Sequence, residues 1–252
     1  MPDFSYQLYS SRNFQPLSDT LAMLSRLGYK SVEGYGALYA DPDKVQELKE
    51  NLSETGLTMP TGHFSIEMLE QDVPGVLAIA EALGIETIYC PYLPPEERPT
   101  TGAGYADLGA RLAAAGKPYR DAGLGFGWHN HDFEFQKLAD GTLPLVAIFE
   151  GGGPDLEWEA DLAWVIKGGA DPLHWIAALG DRITSVHMKD IAAPGSNADE
   201  DGWADLGQGT VEWGRLMAAL TKTPVKHFVL EHDNPKDHAR FAERSIAAAK
   251  TL

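Results

Sequence analysis

The chain has 252 residues, 44% of them hydrophobic and 23% charged, with 20 Lys plus Arg against 37 Asp plus Glu and a formal charge of −17. So acidic a balance argues against a nucleic-acid partner, which needs a basic face, and disfavours an anionic membrane surface. Cys90 is the only cysteine, so no internal disulfide can form, and no segment approaches the ~20 apolar residues of a membrane span. The first residues carry no basic start followed by an apolar run, and together these features predict a cytoplasmic protein.

Short β-rich runs alternate with longer amphipathic stretches. The first strand is Ser5 to Tyr9. A helix follows Pro16, with Leu17, Leu21, Leu24 and Leu27 at helical spacing, and stops at Gly28. The second strand, Lys30 to Gly34, carries Glu33 near its end. Asp41-Pro42 opens the second helix, an N-cap followed by proline at the first helical position, and that helix runs to about Thr55. The third strand, Leu57 to Gly62, ends at His63, and its helix covers Ile66 to Leu83. The fourth strand is Ile85 to Cys90, followed by a helix from about Gly104 to Ala122. The fifth strand leads into Trp128-His129-Asn130-His131-Asp132-Phe133-Glu134-Phe135. In a strand His129 and His131 would point to the same side.

A short helix near Leu143 to Glu150 comes next. The sixth strand is Leu156 to Ala160, ending at Asp161; its helix spans Leu162 to Leu179, interrupted at Gly168-Gly169. The seventh strand, Ile183 to Met188, carries His187 and is followed by Lys189-Asp190. A polar loop, Ala192 to Gly209, precedes a helix from Val211 to Leu220; with Trp203 in it, the loop is a candidate lid. The eighth strand, Lys226 to Leu230, ends at Glu231, and a helix from Pro235 to Lys250 closes the chain.

Eight β-then-α units in a chain of this length predict one domain over residues 1–252, a single closed (β/α)8 TIM barrel. An open doubly wound sheet would show a glycine-rich phosphate loop after its first strand, and Tyr9-Ser10-Ser11-Arg12-Asn13 is not one. In a barrel the active site lies where the strands end. Here the ends supply Glu33, His63, His129, His131, Glu134, Asp161, His187, Lys189 and Glu231. Each alone has a plain structural use: Asp161 as the N-cap of the next helix, Lys189 in an ion pair with Asp190 or Glu231. Jointly, several carboxylates at one mouth repel one another and need a cation, and mixed imidazole and carboxylate donors suit a divalent metal.

Val32-Glu33-Gly34-Tyr35, Gly62-His63-Phe64-Ser65, His129-Asn130-His131-Asp132-Phe133-Glu134-Phe135, Asp161-Leu162-Ala163-Trp164, His187-Met188-Lys189-Asp190, Gly207-Gln208-Gly209-Thr210-Val211 and Val229-Leu230-Glu231 together resemble the xylose-isomerase-like barrel superfamily, the sugar phosphate isomerase/epimerase group. The resemblance covers essentially the whole chain. It implies one divalent metal, manganese first, with cobalt, iron, magnesium or zinc as alternatives. Asp161, His187 and Glu231 match three of its ligands. The ligand from the fifth strand is where the sequence departs, since epimerases of the group end that strand in glutamate. Either His131 or Glu134, reaching back from the next turn, takes the place, and Glu134 is preferred because it keeps the charge of the set.

The expected reaction is sugar isomerisation or epimerisation by proton abstraction next to a carbonyl, through an enediolate. The alternative is dehydration or elimination on a keto-sugar or inosose at the same site. Base candidates are Glu134, Glu231, His131 and Glu33, and Lys189 would stabilise negative charge. Glu33, His63, His129, Trp128 and Trp164 are candidate substrate contacts, with Tyr35, Phe64 and Tyr9 as further aromatic walls. The expected partner is a small-molecule sugar or keto-sugar, with no nucleic acid and no membrane; a homo-oligomer is a family-level expectation. Two other classes compete with this reading. A metal-dependent endonuclease on abasic DNA is opposed by the charge of −17. A non-catalytic sugar-binding barrel need not hold a metal or exchange substrate protons with solvent.

Overall fold

The computed structural model describes residues 3–252. Its strands are β1 (Phe4–Gln7), β2 (Ser31–Gly34), β3 (Thr58–His63), β4 (Thr87–Cys90), β5 (Gly125–His129), β6 (Glu157–Asp161), β7 (Ile183–Met188), β8 (Asp190–Ile191), β9 (Trp203–Ala204) and β10 (His227–Leu230). Strands β1 to β7 run parallel, and β10 closes the barrel between β7 and β1. The pair β8–β9 forms a separate antiparallel ribbon at the mouth. The helices are α1 (Leu17–Leu27), α2 (Pro42–Thr55), α3 (Ile66–Gln71), α4 (Val73–Leu83), α5 (Gly102–Asp121), α6 (Pro144–Gly152), α7 (Leu162–Lys167), α8 (Pro172–Leu179), α9 (Trp213–Leu220) and α10 (His238–Ala249). This is the closed eight-stranded parallel barrel the sequence predicts. Among the described residues no helix is long and apolar enough to cross a membrane.

Strand alternation divides the molecule into an apolar and a polar compartment. Tyr6, Val32, Ile88, Phe126, Trp128, Trp158, Val186 and Phe228 are buried in the continuous core between strands and helices. Their strand neighbours are Ser5, Gln7, Glu33, Thr61, His63, His129, Glu159, Ser185 and His187, also buried but polar. The barrel axis is therefore filled with hydrogen-bonding groups rather than branched aliphatics. Register then assembles the site: Gln7 lies beside Glu33, His129 beside Glu159, and Asp161 beside His187.

Several element bounds differ from expectation, each for a local reason. The first strand ends at Gln7, whose side chain accepts the Tyr9 N–H and starts a 3-10 turn. The helix expected over Ile66 to Leu83 breaks at Asp72, which leaves helical geometry and caps α4 by accepting the Gly75 N–H. The last helix begins at His238 because Asp237 caps it through the Arg240 N–H. The loop from Ala192 to Gly209 contains β9 and is not a plain loop. The fifth strand stops at His129, so the alternation that would have aligned His131 with it does not reach that residue.

Candidate active site

Asp161 ends β6 and performs two tasks. Its Oδ1 accepts the Trp164 N–H at 2.9 Å and caps α7, while Oδ2 lies 3.2 Å from Lys189 Nζ and has no hydrogen-bond partner. Asn130 locks this corner: its Oδ1 accepts the Asp161 N–H and the Trp158 Nε1–H, and its Nδ2 donates to the Asp161 carbonyl. Lys189 is 1% exposed, and its ammonium sits among Asp161, Glu231 at 2.9 Å and Asp233 at 2.6 Å. Burial works against that charge, but Asp161, Asp233 and Glu231 outweigh it and hold the lysine's pKa above its usual range. Burial raises Asp161 to about 6 even beside Lys189.

His187 stands at the centre. Its Nδ1 is 2.7 Å from Glu231 Oε2 and its Nε2 is 2.7 Å from Glu33 Oε1. Below it, His63 Nε2 lies 2.5 Å and His129 Nδ1 3.1 Å from one oxygen, Glu159 Oε2, whose partner oxygen accepts the Ser185 hydroxyl at 2.8 Å. Burial penalises a charged His63, yet Glu33 and Glu159 outweigh that and hold it up to about 9. His129 goes the other way: burial and the neighbouring His187 push it down to about 4.

The residues nominated from sequence thus divide. Asp161, His187 and Glu231 each offer a ligand atom within 4.8 Å of the others, and His63, His129, Glu159 and His187 form a second such group. Glu134 joins neither: it is fully buried, and its carboxylate accepts the Trp128 Nε1–H at 3.0 Å and the His131 N–H at 2.9 Å. Those two bonds hold it as a clip under the turn that follows β5, and burial raises its pKa to about 8. The preference for Glu134 over His131 as a ligand is corrected by this geometry. Trp128 is corrected as a substrate contact, because it is wholly buried in the outer core with its only polar group given to Glu134. Phe64 likewise stacks on Tyr39 in the core. Glu33 is also fully buried and accepts from Gln7 Nε2 at 2.7 Å.

His131 and Trp164 do face each other, with ring centroids 5.4 Å apart, and Lys189 Nζ lies 5.3 Å from the Trp164 ring. His131 Nδ1 has no hydrogen-bond partner, and burial, then His129, keeps its pKa well below the ordinary value. Trp203 from the ribbon meets Trp164 edge-on at 4.8 Å. Tyr9 and Tyr35 meet at 5.4 Å farther out. Sequence reasoning passed over Glu159, Gln7, Ser185 and Asn130. Glu159 was detectable: Glu157, Glu159 and Asp161 alternate along β6, so a strand that presents Asp161 inward presents Glu159 inward too.

A divalent cation is compatible with the Asp161, His187 and Glu231 group. The set mixes carboxylate and imidazole donors, Asp161 Oδ2 is a buried oxygen whose one close partner is the Lys189 ammonium at 3.2 Å, and Glu33 at His187 Nε2 is the outer-shell carboxylate that orients a ligating imidazole.

A buried ring of histidines and carboxylates at the mouth of a closed parallel barrel defines the class of protein: a (β/α)8 barrel with a polar, metal-compatible centre. The family model described as xylose isomerase-like TIM barrel matches residues 21–252, and the chain belongs to that family. A sugar phosphate isomerase/epimerase from Parabacteroides distasonis superposes with a TM-score of 0.82 at 20% identity, covering 98% of this chain and 94% of that one. The E. coli 3-keto-D-glucoside 4-epimerase YcjR gives 0.72 at 18%, covering 100% of both chains. The probable 3-DHS dehydratase AsbF of Bacillus anthracis gives 0.71 at 15%, covering 98% of each. At these identities the likeness is one of fold. No curated protein matches the sequence significantly.

Proposed function

We propose that the protein is a divalent-metal-dependent sugar isomerase or epimerase that removes a proton next to a carbonyl. The observation that carries this reading is the convergence of Asp161, His187 and Glu231 on one point at the barrel mouth, beside a histidine with a free nitrogen. A bound divalent cation supplies Lewis-acid polarisation of a substrate carbonyl. Asp161, His187 and Glu231 would hold it, with Glu33 fixing the His187 ring through Nε2.

His131 is the base in this reading. Its Nδ1 carries no partner, and its depressed pKa keeps the lone pair free at neutral pH. Lys189, whose ammonium is held at the same mouth, stabilises the negative charge that develops on the substrate oxygen. Trp164 and Trp203 wall the space above and exclude water.

One observation favours the alternative reaction, dehydration or elimination on a keto-sugar. Glu134 and Glu159 have both carboxylate oxygens committed to neighbours and Glu33 has one, so His131, with its Nδ1 open, is the single base this reading uses. Inversion of a carbon needs a base on each face, whereas isomerisation and elimination need only one. The experiment is deuterium incorporation from heavy water, followed by NMR, over a panel of ketoses, inososes and 3-keto-glucosides with metal-loaded protein. Exchange at the carbon next to the carbonyl, lost in His131→Ala while metal content is kept, is the expected result. Loaded protein that exchanges no proton with any of them would refute the reading.

A further inference from the structure

His187 belongs to two groups of candidate ligands, but through different nitrogens. Nδ1 faces Glu231 at 2.7 Å, and Nε2 faces Glu33 at 2.7 Å and Glu159 at 3.3 Å. The reading above uses only the outer group. We propose that the inner group is a second metal site, in which His63, His129 and Glu159 bind a borderline divalent cation of the zinc or cobalt class. This proposal does not depend on which reaction the protein catalyses.

Three facts carry it. His63 Nε2 and His129 Nδ1 lie 2.5 and 3.1 Å from the same oxygen, Glu159 Oε2, with His187 Nε2 at 3.3 Å from it. Adjacent donors in a tetrahedral site with bonds of about 2.0–2.1 Å stand about 3.3 Å apart, so these atoms need to draw back by less than about 1 Å to accept an ion. Second, Glu33 and Glu159 are fully buried close together, and their only ion-pair partners among the described residues are the imidazoles of His63, His129 and His187, which are themselves candidate ligands. The outer group, by contrast, already holds the Lys189 ammonium. Third, Glu33 Oε2 has no hydrogen-bond partner although the residue is 0% exposed, and its other oxygen lies 3.2 Å from His63 Nε2. A buried acceptor left open beside the donor set is placed to receive a proton from a water in the remaining coordination position. Two imidazoles and one carboxylate with an open position is the composition of sites that activate water. Ser185 on the free oxygen of Glu159 orients that ligand.

The shared histidine sets the stoichiometry. A neutral imidazole has one lone pair, so when Nδ1 ligates in the outer group, Nε2 keeps its hydrogen and donates it to Glu33. His63, His129 and Glu159 then remain for the inner ion, and both sites fill together. His63, 7% exposed, is the most exposed member of the group.

The test is a cobalt(II) titration of the full, metal-stripped chain, followed by visible absorption and elemental analysis. The expected result is two equivalents per chain, one with the intense bands of four-coordinate cobalt. His129→Ala and Glu159→Gln should lose that banded equivalent, and Asp161→Asn should keep it while losing the other. Circular dichroism identifies a variant that fails to fold, and the wild-type spectrum needs no variant. Uptake of one equivalent with only weak bands, lost in Asp161→Asn and kept in His129→Ala, would overturn the proposal. So would folded wild-type protein that takes up no cobalt. Failure of the isomerase reading shows separately, as an inner equivalent retained with no proton exchange from any substrate.

Discussion

Glu134 and Lys189 show how a single buried ionisable group is governed by its immediate neighbours. Glu134 accepts two N–H groups inside the core, from Trp128 and His131. Glu134→Gln puts an amide NH2 where one acceptor stood, so one buried N–H loses its partner. We expect a loss of about 1–3 kcal/mol in denaturant unfolding, with metal content unchanged; lost metal would instead make Glu134 a ligand. Lys189→Met leaves Asp161, Glu231 and Asp233 without their ammonium. Breaking a buried pair this way costs about 3–5 kcal/mol. The same three carboxylates then attract a divalent ion more strongly, so added manganese or zinc should raise the melting temperature of Lys189→Met more than that of wild type. An equal rise in both would separate Lys189 from the cation-binding group.

At the scale of elements, Asp190 ties the ribbon β8–β9 to the segment that follows it. Asp190 accepts the N–H groups of Gly207, Gly209 and Val211 at 2.9–3.1 Å, closing the segment after the ribbon onto its base. That fastening keeps Trp203 2% exposed against Trp164. In Asp190→Ala those N–H groups lose their acceptor, and residues 192–211 should exchange amide hydrogens and be cut by protease faster than wild type, while the barrel strands stay protected. Unchanged exchange would mean that the other contacts, the Asn197 amide on the Trp203 carbonyl and the packing of Trp203 among them, hold the ribbon without Asp190. Helices α5 and α6 meet through glycine: a Cβ at Gly109 would run into the Ile148 carbonyl. Backbone cannot move aside as a flexible side chain can, so Gly109→Ala should cost about 1–3 kcal/mol, read by thermal unfolding.

For the whole molecule, the buried charges set a pH dependence that the sum of −17 does not. His63 is held up to about 9 from 6.5, and burial raises Glu134 to about 8 from 4.5. In both windows the folded state binds more protons than the unfolded chain, so stability falls as pH rises. The His63 contribution is complete below 6.5 and gone above about 9. His129, lowered to about 4, has the opposite sign: its folded state binds fewer protons between about 4 and 6.5, and that contribution is lost as pH falls. The metal-free protein should therefore lose melting temperature steadily from pH 7 to beyond 9 in calorimetry, and Glu134→Gln should flatten the part below pH 8. A melting temperature constant over that range would contradict the charge pattern described here.

The barrel itself was legible in the sequence, because alternating strands, capped helices and Gly-terminated turns are local signals repeated eight times. Asp161, His187, Lys189 and Glu231 were legible for a related reason: a strand end is visible in the sequence, and a barrel sends strand ends to one place. Contact partners were not. Whether Glu134 faced the mouth or the core depended on where β5 stopped, and it stopped at His129. Glu159 was visible as one of three alternating acids, but only the register between β5, β6 and β7 brings His129, Ser185 and His187 around it. Sequence alone determined the fold and which strand ends lie at the mouth, since both follow from short-range periodicity. Tertiary structure alone decided which of them share a proton, a cation or a neighbour, since that is set by distances between residues far apart in the chain.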